Sequence, residues 1–134
     1  MNYIDATLND IQSIDNLAIV TFKVKEQKMC MMSLGIDSSL SIGSKVTLGI
    51  KASNIALAKD LKGLISLSNQ LDGIIHSIKN GVLLSSIKLK IDDDLILESI
   101  ITLESSKKMN LQTGDKVTAL IKSSELSIVK VDKR

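Results

Sequence analysis

The chain has 134 residues, and its 17 Lys and Arg against 15 Asp and Glu leave a formal net charge of +2. This balance lacks the basic surplus of a dedicated duplex-DNA binder, and two aromatic residues, Tyr3 and Phe22, are too few for a base-stacking surface. One cysteine, Cys30, and one histidine, His76, exclude an intramolecular disulfide and a zinc site built from Cys and His ligands.

The sequence shows neither the pattern of a signal peptide nor that of a membrane-spanning segment. The first five residues combine no basic segment with an apolar segment, so they do not read as a signal peptide. No apolar run approaches the ~18 residues of a membrane span. We therefore expect a soluble, cytoplasmic protein.

Short alternating segments between turn-like residues predict an all-β chain. Every second residue from Ala18 to Val24 is apolar, which predicts a strand with one buried face. Thr102 is a predicted N-cap of a short helix, with Glu104 in the first turn and Lys107 in the last. The predicted strands span residues 6–14, 17–24, 28–34, 45–50, 54–58, 70–78, 83–91, 95–102, 116–121 and 126–131.

An internal repeat divides the chain. Residues 42–53 return at a constant offset as residues 113–124, and the second copy carries extra residues around the predicted helix. Two homologous halves are therefore predicted, a diverged first domain at 1–60 and a second domain at 64–134. Five short strands with a helix between the third and fourth is the order of an OB-type barrel, so we expect two tandem OB-like barrels.

Each half is small and has no disulfide or Cys/His zinc site to stabilise it. The mean hydropathy of +0.22 is high for a chain with so few aromatic residues. Both observations predict that apolar strand faces are covered by further copies of the chain.

The repeated block resembles the Mop domain, the small molybdate- and tungstate-binding module of the TOBE group. The resemblance covers nearly all of the second half and, in the first half, mainly residues 43–57. Two copies in tandem make a di-Mop unit, which matches the whole chain. The resemblance implies OB-like barrels that bind an oxyanion, without catalysis, at interfaces between domains. It further implies an intracellular protein that stores, buffers or delivers molybdate or tungstate, assembled as a homo-oligomer, with a trimer favoured.

Local chemistry supports such a site. Molybdate is an unprotonated dianion near neutral pH, so its site should offer hydrogen-bond donors and avoid Asp and Glu. In each half, one segment just before the last strand supplies donors. These segments are Lys51-Ala52-Ser53 and Lys122-Ser123-Ser124.

The resemblance adds a second half-site ahead of the first strand of a domain. In this chain the matching segment is Ser66-Leu67-Ser68-Asn69. Ser68 stands where the family has Arg, and the only Arg in the chain is Arg134. A rigid bidentate charge is thereby lost, so the charge of the site should rest on Lys51 or Lys122. We found no matching segment in the first half and expect fewer complete sites than in a symmetrical di-Mop protein.

Other candidate residues favour ordinary structural roles. Cys30 alternates with methionines along a strand, which indicates core or interface packing rather than a Cu(I) site or an activated thiol. His76 has no partner for a metal, and Asp92-Asp93-Asp94 lacks the spacing of a calcium loop, so we expect a structural or surface histidine and a solvated hairpin turn.

Two alternatives to storage stay open from the sequence. One is a regulatory module that senses the oxyanion and acts through a protein partner. The other is an OB-type single-strand nucleic-acid binder, which the low aromatic content and the charge of +2 disfavour. An enzyme is the least supported class, because the chain has no phosphate-binding glycine loop and no nucleophile motif.

Overall fold

The computed structural model describes residues 1–132, which form ten strands, one short helix and two single 3₁₀ turns. The strands are β1 (Asn2–Ile14), β2 (Leu17–Val24), β3 (Gln27–Leu34), β4 (Lys45–Ile50), β5 (Ile55–Ala58), β6 (Asn69–Asn80), β7 (Leu84–Asp92), β8 (Leu95–Thr102), β9 (Lys116–Ile121) and β10 (Ser127–Val131). The helix α1 spans Leu103–Lys108, and the 3₁₀ turns span Ala52–Asn54 and Ser123–Glu125.

The ten strands form two antiparallel sheets that exchange their last strands. The first sheet has the order β10-β4-β1-β2-β3 and the second the order β5-β9-β6-β7-β8. Each sheet therefore takes four strands from one half of the sequence and an edge strand from the other. The two-barrel, OB-like architecture expected from the repeat is confirmed. The domain bounds 1–60 and 64–134 remain a prediction. The strand exchange links the two halves physically.

A single buried apolar cluster runs through both halves. The predicted apolar face of β2 is confirmed, because Ala18, Val20, Phe22 and Val24 are all buried there. Burying two small domains against one another removes more apolar surface from water than either domain could alone. The shared core thus stabilises two halves that are individually too small to be robust.

The helix begins as the sequence predicts. Thr102 is its N-cap, and the Thr102 hydroxyl accepts a hydrogen bond of 3.1 Å from the Ser105 amide. Residues 35–44 take the corresponding place in the first half and form turns instead. The extra residues of the second half therefore build α1.

The first strand starts four residues before its predicted beginning. Turn-like residues such as Asn2 and Asp5 disfavour a strand locally. β1 nevertheless begins at Asn2 because it pairs with β4 from Asn2 opposite Ile50 to Thr7 opposite Lys45, and because Ile4 and Ala6 are buried. No helix within residues 1–132 is long and apolar enough to cross a membrane.

Candidate functional site

Both predicted donor segments leave the end of a central strand and enter a 3₁₀ turn. Lys51 follows β4 and Lys122 follows β9, and each lysine has extended backbone angles and an exposed side chain. Each turn closes with a hydrogen bond of 2.9 Å, from the Asn54 amide to the Lys51 carbonyl and from the Glu125 amide to the Lys122 carbonyl. We call residues 51–54 and 122–125 the first and second donor turns. The first amide groups of such a turn have no partner inside it and remain available as donors.

The two donor turns contact each other because of the strand exchange. β5 pairs with β9 so that Ile55, which follows the first donor turn, lies opposite Ile121, which precedes the second. The Asn54 side-chain amide donates a hydrogen bond of 3.1 Å to the Glu125 carboxylate across this contact. Lys51 and Lys122 are thus carried on adjoining turns, although 71 positions separate equivalent residues of the repeat.

The predicted half-site ahead of β6 reaches the second donor turn. Asn69 lies opposite Ile121 in the sheet, so the residues before Asn69 lie beside those after Ile121. The Ser68 and Ser123 hydroxyl oxygens are 3.3 Å apart. Ser66 and Ser68 are exposed, and the Leu67 carbonyl accepts a hydrogen bond of 2.8 Å from the Gln70 side chain. All three segments predicted from the sequence therefore lie together.

Asn69 has a structural contact that the sequence reasoning missed. Its side chain is fully buried, accepts a hydrogen bond of 2.7 Å from the Cys30 amide and donates one of 2.8 Å to the Cys30 carbonyl. Cys30 belongs to β3 of the other sheet. The amide therefore fixes the start of β6 against that sheet, whereas Ser68 and Gln70 on either side of Asn69 are exposed.

Asn2 makes the same contact in the first half. Its amide donates to the Glu98 carbonyl and accepts from the Glu98 amide, both at 2.8 Å. A sequence signal for this equivalence was present, since Asn2 and Asp5 have the same spacing as Asn69 and Asp72. The first half therefore keeps the structural part of the half-site.

Glu125 is the acidic residue of the site, and the sequence reasoning did not anticipate its place. An oxyanion site was expected to avoid carboxylates, yet Glu125 ends the second donor turn. Its carboxylate is directed to the Asn54 amide, which partly offsets its charge. The equivalent position of the first donor turn is Asn54 itself, so the two turns differ in charge.

Comparisons with known proteins identify relatives of this chain. Residues 65–128 match the model of the TOBE domain. The molybdenum-pterin-binding protein 1 of Clostridium pasteurianum is 35% identical over 65 residues, which cover 48% of this chain and 96% of that protein. A probable molybdenum-pterin-binding protein of Haemophilus influenzae is 33% identical over 64 residues, 48% of this chain and 93% of that protein.

The chain belongs to the TOBE-domain family of molybdenum-pterin-binding proteins. The fold of the whole chain also has a solved counterpart. The cytoplasmic molybdate-binding protein ModG, in a crystal form with molybdate bound, superposes with a TM-score of 0.88 and 23% identity. The superposition covers 95% of this chain and 94% of ModG. Both halves of the chain therefore share the fold of that protein.

This TOBE-family chain departs from the resemblance at one charged position. Ser68 stands where the resemblance implies an Arg, and its hydroxyl contacts that of Ser123. Arg134 lies outside the described residues. The cationic groups carried by the three segments are thus Lys51 and Lys122.

The remaining candidates have structural surroundings. Met29 and Met31 are buried, Met32 points outward, and His76 is exposed. Within residues 1–132, no three His, Cys, Asp or Glu side chains cluster as metal ligands.

The three consecutive aspartates form a turn stabilised by lysine. Lys25 contacts Asp94 at 2.7 Å and Asp92 at 3.3 Å. The hydrogen bond from the Asp94 amide, together with Lys25, lowers the pKa of Asp92, and the contact with Asp94 raises the pKa of Lys25. This arrangement explains the aspartate run as a charged hairpin turn.

Proposed function

We propose that this chain binds molybdate or tungstate at the two donor turns together with Ser66, Ser68 and the backbone between them. The observation that carries the proposal is the meeting of three donor-bearing segments, joined by the Asn54–Glu125 and Ser68–Ser123 contacts. Membership of the TOBE family supports the choice of ligand, as does the molybdate-bound ModG of the same fold.

The chemistry of the segments suits a tetrahedral dianion. Molybdate has no proton to donate near neutral pH, so ammonium, hydroxyl and backbone amide groups are its natural partners. Lys51 and Lys122 supply charge, and Ser53, Ser66, Ser68, Ser123 and Ser124 supply hydroxyls. Lys51 is carried next to the buried Ala52, which anchors the first donor turn to the core. Binding in this site needs no bond to form or break, so the function is binding without catalysis.

The donor segments are exposed, and we propose that a second copy of the chain completes the site. Cavities of about 440 and 580 Å³ are lined by other residues, so the donor segments lie on open surface instead of in those cavities. Large apolar side chains are also exposed, as a subunit interface requires. They include Ile14, Leu34, Ile42, Leu64, Val82 and Leu83. A homo-oligomer, with a trimer favoured, would cover such side chains and close the anion site.

In the cell, the proposed role is to store, buffer or deliver the oxyanion in the cytoplasm. The ligand held at an interface is released when its free concentration falls, which is the behaviour of a buffer. A regulatory module would instead change its size or capture a protein partner when molybdate is added.

Isothermal titration with sodium molybdate, sodium tungstate and sodium sulfate tests the proposal. We expect saturable binding of molybdate and tungstate, weaker binding of sulfate, and a stoichiometry that counts the sites of each oligomer. Light scattering with and without molybdate measures the size of the assembly. Lys122→Ala should weaken molybdate binding at least about tenfold, since a charge-assisted hydrogen bond is lost.

Lys107→Ala is the matched control, because Lys107 is an exposed lysine in α1, away from the donor turns. Equal losses in the two variants, or no binding of any oxyanion by the unmodified chain, would contradict the proposed function.

A further inference from the structure

A polar groove of about 410 Å³ crosses the outer face of the first sheet. Four lysines and two aspartates line it, so positive charge is in surplus. These residues are Lys23, Lys25, Lys45, Lys130, Asp5 and Asp132. None of them belongs to the donor turns.

Strand register brings three of the lysines to one patch. Thr7 of β1 lies opposite Lys23 of β2 and opposite Lys45 of β4. Residues directly opposite in neighbouring strands project to the same face of a sheet. Lys130 of β10 lies opposite Thr47, two residues along β4 from Lys45. We call the groove around Lys23, Lys45 and Lys130 the lysine groove.

A β-bulge in the exchanged strand is what brings Lys130 there. The register of β10 against β4 shifts between Ile128 and Lys130, so one extra residue is accommodated. In the second sheet the residue opposite Thr118, the equivalent of Thr47, is Ala58. Bulges redirect side chains at sheet edges. Here the bulge places a lysine where the other sheet has a methyl group.

The lysine groove differs in its ion pairs from the groove at the equivalent place on the second sheet. Among residues 1–132, no ion pair includes Lys23, Lys45 or Lys130. Lys25 is engaged by Asp92 and Asp94. Asp5 and Asp132 line the same groove, so the three unpaired lysines leave a surplus of one positive charge there.

The second-sheet groove, of about 580 Å³, is balanced by comparison. Two lysines and two aspartates line it: Lys90, Lys116, Asp60 and Asp72. Lys59, the repeat equivalent of Lys130, contacts Asp115 at 3.0 Å, and Lys90 contacts Asp93 at 3.4 Å. The Asp72 carboxylate accepts a hydrogen bond of 2.8 Å from Thr118. The repeat therefore provides a matched groove in which Lys90 is paired and Lys116 is the one lysine outside the ion pairs found in residues 1–132, against three such lysines in the lysine groove.

We propose that the lysine groove binds an anion with two or more linked phosphoryl groups. Neighbouring strands lie about 4.8 Å apart, so Lys23 and Lys45, on either side of β1, are about 10 Å apart at their backbones. Because Lys23 and Lys45 stand on either side of β1, each can contact one of two linked phosphoryl groups. Ammonium groups bind phosphoryl oxygens as point charges, and the hydroxyls of Thr7 and Thr47 add donors between them. Inorganic pyrophosphate and a nucleoside diphosphate share this chemistry.

Titration of the full chain with sodium pyrophosphate and with ADP tests the site and distinguishes the two sources. We expect both to bind, and binding to weaken as salt rises. Equal affinities would mean that the phosphoryl groups alone are recognised, whereas tighter ADP binding would identify an organic phosphate; both results support the site. If neither pyrophosphate nor ADP binds, the proposal is overturned.

A matched pair of double variants locates the site. Lys45→Gln with Lys130→Gln should weaken pyrophosphate binding at least about tenfold, because two unpaired charges are removed. Lys90→Gln with Lys116→Gln, in the second-sheet groove, should change it by less than about twofold. Equal losses in the two pairs would assign the binding to overall charge and overturn the proposal.

The site is independent of the proposed molybdate site, and the same variants separate them. Lys122→Ala should leave pyrophosphate binding unchanged, and the Lys45 and Lys130 double variant should leave molybdate binding unchanged. Displacement of pyrophosphate by saturating molybdate would show one shared site and contradict the assignment.

Discussion

The Asn69 side chain forms two hydrogen bonds with the backbone of Cys30, and so joins the first residue of β6 to a strand of the other sheet. Asn2 repeats the arrangement with Glu98. Each half is therefore attached to the other by an exchanged strand and by a buried amide. Because the donor turns and Ser68 lie beside these contacts, the link between sheets also sets the geometry of the proposed anion site.

Replacing Asn69 by Ala should destabilise the fold. The change removes two hydrogen bonds and leaves the amide and carbonyl of Cys30 without their partner, at a cost of about 2 kcal/mol. Urea denaturation followed by circular dichroism measures the loss. Asn2→Ala should have a similar effect. Gln12→Ala, at an exposed position of β1, is the control, and a loss as large as that of Asn69→Ala would contradict the role of the buried amide.

The sequence predicted more of the fold than of the site. Alternation of apolar residues marks the strands because burial of one face is a local property, as β2 illustrates. The exchange of β5 and β10 is not a local property, because the alternation of residues in each edge strand fits β4 and β9 equally well. The direction in which the donor turn sends the backbone decides the partner of the edge strand that follows, and periodicity does not report that direction.

The site shows the same division between local and non-local information. The repeat predicts Lys51 and Lys122 as candidates, because a duplicated donor pattern can be read along the chain. It did not predict that Asn54 contacts Glu125, since that contact follows from the strand exchange. Asn69 was predicted as a donor to the ligand, but burial directs its amide to Cys30 instead. The polar type of a residue is visible in sequence, whereas its partner is not.

Restoring the family's charge should strengthen oxyanion binding. Ser68 is exposed and its hydroxyl lies 3.3 Å from that of Ser123, so an Arg introduced there can reach the second donor turn. A guanidinium group offers two parallel donors to a tetrahedral oxyanion. We expect Ser68→Arg to raise molybdate affinity about tenfold in calorimetric titration.

Ser13→Arg provides the control for this change, because it adds the same charge at an exposed position of β1 outside the three donor segments. A similar gain in both variants would mean that long-range attraction, not a contact at position 68, raises the affinity.

The contact between Lys59 and Asp115 predicts a loss of stability in acid. The hydrogen bond from the Gln112 amide, aided by Lys59 at 3.0 Å, lowers the pKa of Asp115 in the folded chain. A carboxyl whose folded pKa is lowered stabilises the fold above its unfolded pKa, and this contribution is lost as the pH falls through the folded pKa. Asp115→Asn should therefore destabilise the chain at about pH 7 and have little effect below the folded pKa.

Urea denaturation at about pH 7 and at a pH below the folded pKa of Asp115 measures the difference in free energy of unfolding between the variant and the unmodified chain. Asp10→Asn, at an exposed position outside the ion pairs found in residues 1–132, is the control and should change stability little at either pH. A destabilisation by Asp115→Asn that is the same at both pH values would show that the lost contact does not depend on the ionised carboxylate.

Gly49 provides a direct test of the exchanged strand β10. A Cβ atom at Gly49 would lie 2.6 Å from the Cγ1 atom of Val129, closer than a packed contact allows. Gly49→Ala should therefore push β10 from β4 and lower the free energy of unfolding by about 1–3 kcal/mol. Val129 is β-branched and has little rotamer freedom to move aside. Val129→Ala removes the obstructing methyl groups, so the double variant should recover most of the loss caused by Gly49→Ala. Additive losses in this double-mutant cycle, measured by urea denaturation, would mean that the two residues do not touch in solution and that β10 pairs elsewhere.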